Sequence, residues 1–141
     1  MKKILLSLFT VFLVSGVFAQ KQDQTATEQN RATEKYRAMF QLNDEQGREM
    51  AKIVARHTRN SQEIQSLKAA DPQQFLKKRK SIDMGMNNSI RMILNKDQLK
   101  VYREQQIELR KKRAYKELEM RENKASQREV EVAIAELYLI Q

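Results

Sequence analysis

Few side chains in this chain could do chemistry. His57 is the only histidine among 141 residues, cysteine is absent, and no glycine-rich loop is present to cradle a phosphate. A metal site built on His or Cys needs two or more such residues, and a hard-cation site needs clustered carboxylates. The acids here are interleaved with bases instead, as at Glu104, Glu108, Glu117, Glu119 and Glu122, which is the pattern of a solvated helix surface. His57 falls on the apolar stripe of an expected helix, where a packed or half-buried histidine is the expectation. The pattern argues against an enzyme and calls for no metal and no cofactor.

The abundant functional groups are cations and thioethers. Lys77, Lys78, Arg79 and Lys80 form one basic run, and Arg110, Lys111, Lys112, Arg113 and Lys116 form a second. Such runs suit nucleic acid, a solubilising face with i,i+4 pairs such as Glu108–Lys112, or attraction of anionic polypeptides and lipid headgroups. Methionine recurs at Met39, Met50, Met84, Met86, Met92 and Met120. Met50 and Met86 fit a core stripe, whereas Met84 and Met92 lie off it, on a helix that also carries Lys77, Lys80 and Arg91. An exposed mixture of flexible apolar and cationic groups is what loose binding of unfolded chains requires. The expected client-binding residues are Lys77, Lys80, Met84, Arg91, Met92, Arg103 and Lys112.

The first residues point to export. Lys2 and Lys3 precede a mostly apolar stretch from Ile4 to Val17, and Val17-Phe18-Ala19 suits signal peptidase. Residues 1–19 therefore read as a secretory signal peptide cleaved after Ala19. A retained membrane anchor is disfavoured: roughly 20 apolar residues span a bilayer, and Ser7, Thr10 and Ser15 interrupt this shorter run. Export argues against a nucleic-acid partner. Cleavage would remove two lysines and no acids, lowering the net charge from +9 to +7. Without cysteine there is neither a disulfide nor an acylated lipoprotein anchor. With 32% of residues charged, the core is expected to be thin, and an elongated helical shape or a dimer is favoured over a compact globule.

The elements that position these groups follow from capping chemistry and periodicity. Residues 20–26 read as a polar linker. Beyond them Gly occurs only at 47 and 85 and Pro only at 72, while helix formers dominate to about residue 122. The fold class is all-α. Asn43 is placed to accept from the first-turn amides of a helix, Gln46 to reach back to the amide of Asn43, and Asp44 and Glu45 to complement the helix dipole. Asn95 and Gln98 repeat the arrangement. Leu94 and Leu99 form a hydrophobic staple there, which Gly47 denies to the first copy. Asp71-Pro72 marks a third helix start. The expected helices are 27–40, 44–69, 73–93 and 96–122. Apolar stripes run along Met50, Ile53, Val54, His57, Ile64 and Leu67, and along Phe75, Ile82, Met86, Ile90 and Ile93. The last helix carries two stripes: Leu99, Tyr102 and Leu109, and Ile107, Ala114, Tyr115 and Leu118. Residues 123–141 form a tail that alternates like a strand at Val130, Val132 and Ile134 but also fits a helix face, and helix is favoured. Its apolar end either packs on the body or projects as a sticky arm.

The helix openings at Leu42–Gln46 and Leu94–Gln98 are two copies of Leu-Asn-x-x-Gln, 52 positions apart. Two such copies in an exported, cysteine-free, all-helical chain resemble the Spy/CpxP family of periplasmic proteins, defined by a twice-repeated Leu-Thr-x-x-Gln. Leu42, Gln46, Leu94 and Gln98 match that motif, and Asn43 and Asn95 replace its Thr with another capping acceptor. The stretch "QLKVYREQQ", residues 98–106, also looks like the family's helix after the second copy. The resemblance covers about residues 27–122. It implies a periplasmic protein built as a long bent helical hairpin that dimerises antiparallel into a cradle. It further implies either an ATP-independent holdase-type chaperone for unfolded envelope proteins, or an adaptor or repressor docking on the periplasmic domain of an envelope-stress sensor kinase. The motif residues would then be architectural, setting where two helices begin.

Overall fold

The computed structural model describes residues 12–138, with side chains from residue 24 onward. The described part is all-helical: α1 (Phe12–Phe40), α2 (Asp44–Glu63), α3 (Leu67–Ala70), α4 (Pro72–Ile93), α5 (Lys96–Glu122) and α6 (Gln127–Ala135). Residues 1–11 of the expected signal peptide lie outside the described residues. The backbone from residue 12 onward already belongs to α1, so residues 20–26, read as a linker, are helical.

Four of the helix starts are capped by side chains. Asn43 Oδ1 accepts from the Gln46 amide at 2.9 Å, and Gln46 Oε1 accepts from the Asn43 amide at 3.1 Å, so two first-turn donors that the helix cannot satisfy are satisfied reciprocally. Asn95 and Gln98 repeat this at 3.0 and 2.9 Å. Asp71 Oδ1 accepts from the Gln74 amide at 3.0 Å, with Pro72 at the first helical position, where its missing N–H costs nothing. A fourth start escaped the sequence reading: Ser126 and Glu129 form a capping box that opens α6. Two helix ends are also chemically defined. Gln41 (φ 49) and Lys124 (φ 58) adopt the left-handed conformation, and the amides of Leu42 and Ala125 return to the carbonyls of Arg37 and Met120. These are Schellman closures.

The expected helix 44–69 is broken. After Glu63 the amides of Gln65, Leu67 and Lys68 bond to carbonyls only three residues back. That tighter winding brings residues i and i+3 onto one side, so Ile64 joins the cluster around Phe75 and Leu67 packs against it. Asp71 then starts α4.

Two apolar clusters result. The larger joins Tyr36 and Phe40 of α1, Leu42, the Met50, Ile53 and Val54 stripe of α2, Met86 and Ile90 of α4, Leu94, and Tyr102 of α5. Tyr36 and Phe40 stack with centroids 6.0 Å apart, and Phe40 meets Tyr102 at 6.1 Å. The smaller unites Ile64, Phe75 and Val132. Helix α1 packs on α2, α2 on α4, and α6 lies against both α4 and α5. The tail therefore packs on the body.

Candidate functional site

The two motif copies meet. Gln46 Nε2 donates to Gln98 Oε1 at 2.8 Å, and Gln98 Nε2 donates to Gln46 Oε1 at 3.0 Å. Each Nε2 also donates to the carbonyl just before the other motif: Gln46 to Ile93 O at 2.7 Å, Gln98 to Gln41 O at 3.3 Å. Each Oε1 meanwhile accepts its own capping amide. The result is a pseudo-twofold amide pair that ties the starts of α2 and α5 together, with Leu42 and Leu94 buried beneath it. A glutamine suits this place because it carries both a donor and an acceptor on one planar group. Spacing predicts the caps; nothing in the spacing reveals that the caps pair.

Gly47 has a steric role in the first copy. A Cβ there would stand 3.0 Å from Arg37 Nε, and the Arg37 guanidinium crosses that space to bond Asp44 Oδ1 at 2.9 Å. In the second copy Leu99 is partly buried against the larger cluster, as a staple requires.

All seven expected client-binding residues are exposed. Lys77, Lys80, Met84 and Arg91 follow one another at steps of three, four and seven residues, so they share a single stripe of α4 pointing away from the cores. Met84 is 55% exposed and Met92, just beside the stripe, 86%. Arg103 and Lys112 are nine residues apart on α5, about two and a half turns, and so leave that helix from opposite sides. Arg103 shares its side with Ile107 and Ala114. The second α5 stripe is open to solvent at Ile107, Ala114, Tyr115 and Leu118. Glu108 pairs with Lys111 at 2.8 Å rather than with Lys112.

One cation of the first basic run does not face solvent with its neighbours. Arg79 is only 3% exposed. It continues the Phe75–Ile82–Met86 stripe at a four-residue step, a signal legible in the sequence but obscured by the surrounding lysines. Its Nε donates to Ala135 O at 3.0 Å and lies 3.3 Å from Asp83, and its Nη1 donates to Ser61 Oγ at 2.8 Å. The guanidinium lies under the Tyr138 ring, 5.3 Å from the centroid. His57 is buried beside it, 3.2 Å from Asp83 and edge-on to Tyr138.

Titration behaviour follows packing. Burial pushes the phenol of Tyr36 well above the usual tyrosine range and raises that of Tyr102. Tyr102 Oη donates to Asn87 Oδ1 at 2.9 Å. The hydrogen bond from Lys100 holds Asp97 below the usual carboxylate range. Among the described residues, no three His, Cys, Asp or Glu side chains converge as a metal site would require, and no helix is long and apolar enough to cross a membrane. No family model, no curated protein and no solved structure matches the chain.

Proposed function

We propose that this chain is an exported, periplasmic holdase-type chaperone of the Spy/CpxP kind, acting without ATP on unfolded or aggregation-prone envelope proteins. The single observation that carries this reading is the α4 stripe, where Lys77, Lys80, Met84 and Arg91 stand exposed together with Met92 alongside. Cations draw clients in from a distance, which raises the encounter rate more than the affinity. Unbranched thioethers then make apolar contacts that adapt to many partners and release them readily. The paired caps at Gln46 and Gln98 act as the fixed corner of a helical hairpin, and the open Ile107–Leu118 stripe of α5 serves as the face on which two copies form a homodimer.

The test is aggregation of a chemically denatured protein, followed by light scattering with and without the mature chain, at low and high ionic strength. Suppression near equimolar dimer that weakens as salt rises is the expected result. Absence of suppression at either salt concentration refutes the reading. One observation favours an adaptor that docks on an envelope-stress sensor domain: the α5 stripe is a single ordered face, suited to one defined partner. That alternative predicts one saturable partner in pull-downs and no protection of generic clients.

A further inference from the structure

The tail of this chain packs against its own body. After the reversal at Lys124, α6 opens on the Ser126–Glu129 capping box and places Val130 and Val132 inside, Val132 against Ile64 and Phe75. Its C-terminal end then meets three cations from three different helices. Lys68 of α3 pairs with Glu136 at 2.7 Å. Arg79 of α4 donates to the Ala135 carbonyl at 3.0 Å, and Arg113 of α5 donates to the Leu137 carbonyl at 2.6 Å. Free carbonyls at the end of a helix carry partial negative charge, so this is where cations belong.

The fit is incomplete in an informative way. Among the described residues, Arg79 Nη2 and Arg113 Nε are buried and find no hydrogen-bond acceptor. A buried donor left unsatisfied is costly, and these two belong to the side chains that grip the tail. A guanidinium edge presents two parallel N–H groups, matched by the two oxygens of a carboxylate; at Ala135 and Leu137 the tail offers each arginine one carbonyl oxygen. The groove thus holds more donors than its present occupant satisfies, and only Val130 and Val132 of α6 are buried in it.

We propose that Ser126–Tyr138 is a displaceable internal ligand of a cation-lined groove formed by α3, α4 and α5, and that the competing occupant is an acidic amphipathic segment of a client polypeptide whose carboxylate engages Arg79 and Arg113. This rests on the reading of the chain as a polypeptide-binding protein. It adds a second, gated contact surface to the open α4 stripe.

The test uses the full chain and a fluorescent synthetic peptide of residues 126–137, made once with a free C-terminal carboxylate and once as the amide. In the V130S/V132S variant the tail leaves the groove while Lys68, Arg79 and Arg113 remain. This variant binds the peptide about tenfold more tightly than the unmodified chain, because the fraction of open groove sets the apparent affinity. The carboxylate peptide binds more tightly than the amide. In a second variant, K68C/E136C, the only two thiols in the molecule are joined by a short bis-maleimide, which ties the tail down and abolishes peptide binding. Equal peptide binding by the tied, unmodified and released chains overturns the proposal, as does equal binding of acid and amide. Should V130S/V132S lose its helical circular dichroism, the tied chain decides: if it still binds the peptide as the unmodified chain does, the groove is not gated. None of these readouts involves aggregation, so a chain that binds the peptide as expected yet protects no client refutes the chaperone reading alone.

Discussion

Gln98→Glu tests the paired caps with a change of one atom type. Gln98 is 9% exposed, and its Oε1 accepts from the Asn95 amide and from Gln46 Nε2, contacts that a carboxylate oxygen retains. The lost group is Nε2, which donates to Gln46 Oε1 at 3.0 Å and Gln41 O at 3.3 Å. Two neutral hydrogen bonds are worth about 1 kcal/mol each. Confronting two acceptors with a poorly hydrated carboxylate adds about 1 kcal/mol. The expected loss at neutral pH is therefore about 3 kcal/mol, or roughly 10 °C in Tm for a chain of this size. Protonation gives the new carboxyl a donor for Gln46 Oε1. The acid form is thus favoured in the folded state, and the folded pKa stands above the unfolded value of about 4.3. If about 2 kcal/mol of the loss belongs to the ionised form alone, the pKa rises by about 1.5 units, to near 6. The destabilisation is then full above that pKa and fades as pH falls through it. Urea unfolding followed by circular dichroism at about pH 7.5 and about pH 5, with the unsubstituted chain in parallel, measures both quantities. A deficit under about 0.5 kcal/mol at neutral pH, or one that does not shrink on acidification, would falsify the pairing of the two motifs.

Other expectations follow from packing at single positions. Nothing lies within 4 Å of a Cβ built at Gly85, in the middle of α4, so Gly85→Ala raises stability by about 0.5–1 kcal/mol in thermal unfolding. Phe75 is fully buried in the smaller cluster, and Phe75→Ala costs about 3–5 kcal/mol. Met92→Ala, at the most exposed large apolar side chain, changes stability by less than about 0.5 kcal/mol and lowers client protection if the α4 face binds clients. The Ser126 hydroxyl and amide hold the Glu129 carboxylate below its ordinary pKa. Its contribution is present above the unfolded value and is lost as pH falls through the depressed folded one, so amide protection across α6 declines below about pH 4. Hydrogen exchange at two pH values, corrected for intrinsic rate, reads this directly.

The all-α class, the starts of α2, α4 and α5, the buried faces of Met50, Met86 and His57, and the exposure of Met84 and Met92 were legible in the residues. Each depends on interactions within about four positions along one helix: a cap reaches N2 or N3, and a stripe repeats every three or four residues. The same logic would have found the Ser126–Glu129 box and the place of Arg79 on its stripe. Both were obscured, one by strand-like alternation in the tail and the other by flanking lysines. The break after Glu63 was not legible, because it serves the packing of Ile64 and Leu67 in the cluster around Phe75 rather than any local preference.

By itself, then, the chain order determined where helices begin and which side of each seeks cover, since backbone amides and apolar side chains state those needs locally. Only the folded arrangement decided which covered sides meet. Gln46 and Gln98 stand 52 residues apart, and Lys68, Arg79 and Arg113 come from three helices. Any of these polar groups could be satisfied by water in an extended chain, so their choice of partner is made when packing excludes that water.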